Sequence, residues 1–152
     1  MIFSEITYRV DTSSYKEILR HFNEADSSFI PPLSNSVSLK EYALKLSNKS
    51  TRYECWHKKK LVGLVAVYFN NEENSGYITN VSILEEFSGM KIASSLLKSI
   101  LIFSKDKGLL KINLHVHQDN MRAIKFYESM GFKSILLNES KILMSHIIQV
   151  TE

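Results

Sequence analysis

VSILEEFSGMKIASSLL (residues 81–97) changes its hydrophobic period midway. YITNVSI (77–83) reads as a strand. From Ile92 onward the apolar side chains Ile92, Leu96, Leu97, Ile100 and Phe103 recur at helical spacing, and Gly108 follows as a C-terminal cap. Between strand and helix lies a small-residue segment, Ser88, Gly89, Met90, Lys91, Ile92, Ala93 and Ser94, read as the opening of the helix. Backbone N–H groups at a helix start lack acceptors and attract anions, and Gly89 lets a ligand approach the backbone closely. Many strand-to-helix turns carry a glycine and bind nothing, so the turn alone does not decide a function.

Outward from that junction the pattern stays legible. LKINLHV (110–116) alternates as a strand; Ala123, Phe126, Tyr127 and Met130 space as a helix, started by Asp119 or Asn120 and ended by Gly131. Phe132 to Leu137 and Lys141 to Ile148 make a closing hairpin. Upstream, TRYECWHK (51–58), LVGLVAVYFN (61–70) and 77–83 are three tightly joined strands, hence an antiparallel meander; the second is apolar on both faces, as a central strand is. Phe3, Ile6, Tyr8 and Val10 suggest a first strand, and Tyr15–Phe22 and Leu39–Leu46 two helices separated by a loop at Pro31 and Pro32. The order β-α-α-β-β-β-α-β-α-β-β predicts an α/β fold, an α+β sandwich. It has a mixed, mostly antiparallel sheet of six to seven strands flanked by about four helices. No repeat or linker interrupts residues 1–152, which read as one domain.

Composition narrows the function classes. Hydrophobic residues at 44% and charged residues at 23% argue against disorder. Cys55 is the one cysteine, so no internal disulfide forms. No apolar run approaches the roughly 20 residues of a membrane span, and no signal peptide is evident, which predicts a cytoplasmic protein. A net charge of +3 is too mild to indicate nucleic acid. The positive balance is local: residues 88–133 carry eight basic and three acidic side chains. That is either an ordinary solvated helix surface or the surroundings of an anionic ligand.

HVHQDNMRAIKFYESMGF (115–132) supplies the second signature. With 81–97 it resembles the GNAT superfamily of acyl-CoA-dependent N-acetyltransferases. The pattern N-x-x-A-x-x-x-Y-x-x-x-G-F is complete in Asn120, Ala123, Tyr127, Gly131 and Phe132. The loop pattern R/Q-G-x-G-x-G/A is partial: Gly89 and Ala93 fit, while Ser88 and Lys91 stand where Arg or Gln and Gly are usual. The resemblance implies splayed central strands and acetyl-CoA as co-substrate, its pantetheine arm along Val81, Ser82 and Ile83. The pyrophosphate would lie on 88–94, and Asn120 and Phe126 would line the channel. A backbone N–H near Asn80 or Val81 would polarise the thioester. Tyr127 would be the general acid; read without the motif it is a core tyrosine at helical spacing. No metal is implied, and neither nucleic acid nor membrane is a predicted partner.

The base is open among Glu54, His57, Tyr77, Asn80, His115 and His117, or no residue at all if a water relay or a neutral amine serves. Cys55-x-His57 and His115-x-His117 are pairs without a third ligand and do not make a metal site. The expected acceptor is a small-molecule amine, an amino sugar among the candidates, on a monomer or homodimer. The rivals are a protein lysine or N-terminal acetyltransferase, and a CoA-binding regulatory module without turnover. Lys91 lies three residues beyond Ser88, about one helical turn, so its ammonium either returns to the phosphates or, as for most helix-surface lysines, points to solvent.

Overall fold

The computed structural model describes residues 5–148. Seven strands form one sheet: β1 (Ile6–Val10), β2 (Thr51–His57), β3 (Lys60–Asn70), β4 (Ser75–Ile83), β5 (Lys111–His117), β6 (Lys133–Asn138) and β7 (Lys141–Ile147). Their order across the sheet is β1-β2-β3-β4-β5-β7-β6. Helices α1 (Tyr15–Ala25) and α2 (Leu39–Lys49) cover one face, and α3 (Ile92–Asp106) and α4 (Met121–Ser129) pack on the other. The predicted element order and the mixed, mostly antiparallel sheet are thus observed. Phe3, read as part of the first strand, lies outside the described residues.

Local chemistry explains the elements. A reciprocal capping box opens α1: Ser14 Oγ accepts from the Glu17 N–H, and Glu17 accepts from the Ser14 N–H. Ser38 caps α2 through the Glu41 N–H. On the α3 side, Val62, Val65 and Val67 of β3 meet Leu96, Leu97 and Ile100 of α3. On the opposite side, Leu61, Leu64 and Ala66 meet Ile18 and Phe22 of α1 and Leu46 of α2. So β3 is buried on both faces, as its continuous apolar run required. Gly63 makes room for the start of α3: a Cβ there would stand 2.9 Å from Ile92 Cγ2 and 3.0 Å from Ile83 Cδ1.

Two features of β4 position the site. Its ladder with β3 shifts register between Ala66 and Val67, so that Asn80 faces Ala66 and Ile78 faces Val67 while Thr79 bulges. Its parallel pairing with β5 covers only Ser75–Ile78 against Lys111–Leu114. Beyond Ile78 the two strands part, and a V opens between them.

Candidate active site

The V leads into a cavity of about 750 Å³ walled by β4, the turn after it, the start of α3, α4 and the turn after α1. Twelve of the thirteen residues singled out in the sequence line it: Val81, Ser82, Ile83, Ser88, Gly89, Lys91, Ile92, Ala93, Ser94, Asn120, Phe126 and Tyr127. Met90 does not; it packs against the core instead.

The turn differs from the sequence reading in one respect. Residues 88–91 are not helical, and α3 begins at Ile92. Lys91 is the N-cap, in the left-handed region at φ 61°, and its side chain does not cap the helix. The one-turn path expected to carry its ammonium back to the position of Ser88 therefore does not exist. The Ser88 hydroxyl is turned away as well, donating to the Glu85 carbonyl at 2.7 Å. What the turn offers is backbone. The first intrahelical bond runs from the Ser95 N–H to the Lys91 carbonyl, so the amides of 92–94 have no helical acceptor. Gly89 lies at φ 80° with no heavy atom within 4 Å of an added Cβ, so the turn is open beside it.

The positive φ also explains the family's usual glycine at 91. A left-handed lysine costs about 1–2 kcal/mol. Lys91→Gly removes that cost while adding some chain entropy to the unfolded state. The expected result is a net gain of up to about 1 kcal/mol in a denaturant titration, with acetyl-CoA affinity retained or improved. A marked fall in affinity would instead show that the Lys91 ammonium binds phosphate.

Asn120 is the N-cap of α4, its Oδ1 accepting from the Ala123 N–H at 3.2 Å, so it reaches the cavity from a helix start. Tyr127, two turns further, is 8% exposed and packs between Phe126 and Phe132. Its hydroxyl has no hydrogen-bond partner among the described residues. Burial pushes the phenol well above its ordinary pKa, so it stays protonated and able to donate. The sequence reading missed Arg122, a cation at the α4 start, and the wall of Ser27, Ser28 and Phe29 after α1. Arg122 sits inside the motif at a variable position; the α1 wall has no motif at all.

The candidate bases separate sharply. Glu54 is fully buried and saturated. It accepts from the Thr12 N–H and hydroxyl at 3.1 and 2.6 Å, the Ser13 N–H at 2.9 Å and Trp56 Nε1 at 3.2 Å, besides the Ser13 hydroxyl. It pins the loop before α1 to β2 and has no free oxygen for a substrate. His117 accepts from the Asp119 N–H at 3.1 Å, bracing the turn into α4. His57 lies edge-on to Phe87, ring centroids 5.2 Å apart. Tyr77 and His115 are joined across β4 and β5, hydroxyl to Nδ1 at 2.6 Å, on the sheet face that carries α1 and α2. Burial holds the Cys55 thiol up at about 11, unsuited to nucleophilic or ligand chemistry at neutral pH. Among the described residues no group of three or more His, Cys, Asp or Glu is arranged to hold a metal ion.

Ser82 and Asn80 point to the α1 side, where His21 meets them. His21 Nδ1 is 3.1 Å from the Leu61 carbonyl and Nε2 is 2.7 Å from Ser82 Oγ, which is 2.9 Å from the Asn80 side-chain amide. Burial lowers the imidazole pKa from 6.5 to about 4. The unfolded chain then binds a proton that the native one refuses between those values. This part of the stability is present above pH 6.5 and is lost as pH falls towards 4, by about 3 kcal/mol in all. Denaturant titrations of wild type and His21→Gln from pH 7 to pH 4 should show a shallower loss in the variant; parallel curves would contradict the assignment.

A parallel strand pair splayed above its fourth rung, with a helix start at its mouth, defines the fold of acyl-CoA-dependent acetyltransferases. The acetyltransferase (GNAT) family profile matches residues 15–132, and the chain belongs to that family. Among curated relatives, N-alpha-acetyltransferase 30 of Schizosaccharomyces pombe is 39% identical over 57 residues, 38% of each chain. N-acetylaspartate synthetase of Xenopus tropicalis is 33% identical over 89 residues, 57% of this chain and 33% of that one. The chain spans less than half the length of these curated relatives. Among solved structures, the PaiA N-acetyltransferase of Thermoplasma acidophilum in complex with coenzyme A superposes with a TM-score of 0.76 at 18% identity, covering 93% of this chain and 99% of that one. The ribosomal-protein-S18-alanine N-acetyltransferase of Escherichia coli gives 0.78 at 16%, covering 97% and 96%. Among the described residues no helix is long and apolar enough to cross a membrane.

Proposed function

We propose that this chain transfers the acetyl group of acetyl-CoA directly to a primary amine of a small molecule. The observation that carries the reading is the V between β4 and β5, which opens into the cavity at the uncapped start of α3. The residues present suit the co-substrate. Free amides at 92–94 and the open turn at Gly89 accept a pyrophosphate, and the unpaired edge of β4 at Val81 and Ile83 accepts an extended amide arm. Acetyl-CoA supplies an activated acetyl group as its thioester. The chain's part is to align it, to polarise its carbonyl through an N–H freed at the Thr79 bulge, and to donate a proton from the Tyr127 hydroxyl to the departing sulfur. His115, oriented by Tyr77, is the imidazole best placed to take the amine's proton.

A second reading, acetylation of a polypeptide α-amine, draws support from the similarity to N-alpha-acetyltransferase 30 and to the ribosomal-protein-S18-alanine N-acetyltransferase. The test is release of free CoA thiol with acetyl-CoA and either small amines, amino sugars included, or short peptides with free N-termini. Turnover with small amines at higher kcat/KM supports the first reading, and turnover with peptides alone replaces it by the second. Binding of acetyl-CoA without turnover of any amine would leave a regulatory CoA-binding module.

A further inference from the structure

The hydrogen bonds around His21 have only one arrangement in which every proton is used without conflict. The Leu61 carbonyl can only accept, so His21 Nδ1 must carry a proton and donate to it at 3.1 Å. The ring is wholly buried without a carboxylate in contact, so it is neutral, and Nε2 holds a lone pair. Ser82 Oγ, 2.7 Å away, has one proton, and it goes to Nε2. Its oxygen can then only accept, whereas the structure sets Asn80 Oδ1, itself an acceptor, 2.9 Å away. The amide terminus facing Ser82 must therefore be the NH2 group, the side chain being turned through 180° from oxygen-toward-serine, an exchange of two groups of nearly equal size. The other tautomer would set an Nδ1 lone pair against the Leu61 oxygen.

The consequence falls on the far terminus of Asn80. It has no hydrogen-bond partner among the described residues, yet it is not among the fully buried unpaired atoms. Asn80 stands two residues beyond Ile78, the last β4 residue paired with β5, and so at the apex of the V. It does not line the co-substrate cavity, and its side chain faces the opposite side of the sheet with Ser82 and α1. On the α3 and α4 side the cavity is the one assigned to the co-substrate, so the amine must come from the side that Asn80 faces. We propose that Asn80 presents its side-chain carbonyl oxygen to an N–H of the attacking amine at the apex of the V, and that His21 is the positioning residue that fixes this orientation through Ser82. The contact leaves the amine's lone pair free to point at the thioester carbon. It deepens the acetyltransferase reading and rests on it. From α2, the Tyr42 hydroxyl holds the adjacent Thr79 carbonyl at 2.9 Å, so both helices fix the segment that carries Asn80.

Two measurements test it. Two-dimensional NMR of 15N-labelled imidazoles on the intact protein at pH 7 reports the tautomer without any acceptor. His21 is expected neutral with the proton on Nδ1; a proton on Nε2, or on both nitrogens, overturns the inference. Steady-state kinetics with D-glucosamine, cadaverine and alanyl-alanine amide then read the contact. Asn80→Leu and His21→Phe should each raise the amine KM roughly three- to tenfold, as for a lost neutral hydrogen bond, with the acetyl-CoA KM little changed. His21→Gln, which can still donate to Leu61 and accept from Ser82, should restore the amine KM; a fold-only role for His21 predicts no such split. An unchanged amine KM in Asn80→Leu overturns the contact. Acetyl-CoA binding with no amine acetylated would remove the functional reading and the acceptor contact together, while the tautomer result stands by itself.

Discussion

Tyr127→Phe should lower kcat by roughly 10²–10⁴, the range for a lost general acid, and leave acetyl-CoA affinity little changed. The substitution keeps the ring, which packs between Phe126 and Phe132 at centroid distances of 5.5 and 5.9 Å, and deletes only a hydroxyl without a partner among the described residues. Nothing in the core depends on that oxygen, so stability should hold or rise slightly. In the proposed mechanism the leaving thiolate takes its proton from that hydroxyl, which burial keeps protonated until a base is generated in the reaction. Steady-state kinetics beside a melting curve check both halves. An unchanged kcat would make Tyr127 a core residue and move the proton donor elsewhere.

Glu54→Leu should destabilise the protein by about 3–5 kcal/mol. For a chain of this size that lowers the melting temperature by roughly 6–20 °C. Glu54 is 0% exposed and Arg52 5%. Arg52 Nε lies 3.7 Å from Glu54, and Ser13 links the two through its hydroxyl. Removing the carboxylate leaves the buried guanidinium with only the half-exposed Asp11, 3.7 Å away, as counter-charge and strands the amides of Thr12 and Ser13. Activity per folded molecule should survive. A variant with normal melting and abolished turnover would make Glu54 a base and refute the structural role.

These two residues show what a sequence can and cannot disclose. The place of Tyr127 at the cavity was legible because its neighbours in the chain, Asn120, Ala123 and Gly131, carry the pattern that marks it. The sheet was legible for the same reason: alternation in 110–116 and an apolar run in 61–70 are local signals. Glu54 looked like a candidate base because nothing nearby shows that its donors arrive from Thr12 and Ser13, more than forty positions away. His21 was invisible, its partners at Leu61 and Ser82 being forty and sixty-one positions distant. Helical residues from Ile92 onward hid the left-handed backbone at Lys91, since lysine seldom adopts it. The bulge at Thr79 depends on register with β3, which no single strand encodes. Charge, by contrast, was a fair guide: Arg122, unassigned in the sequence, belongs to the basic window and lies at the cavity.

Calorimetric titration of the protein with acetyl-CoA, repeated with Gly89→Trp, reads the proposed co-substrate site itself. One site per chain is expected in the wild type, with a stabilisation of about 2.7 kcal/mol at a hundredfold excess over Kd. In the variant, a bulky side chain at φ 80° beside the open turn should abolish the binding heat while the fold persists. Absence of binding to the wild type at millimolar acetyl-CoA, or undiminished binding to a folded Gly89→Trp, would contradict that site.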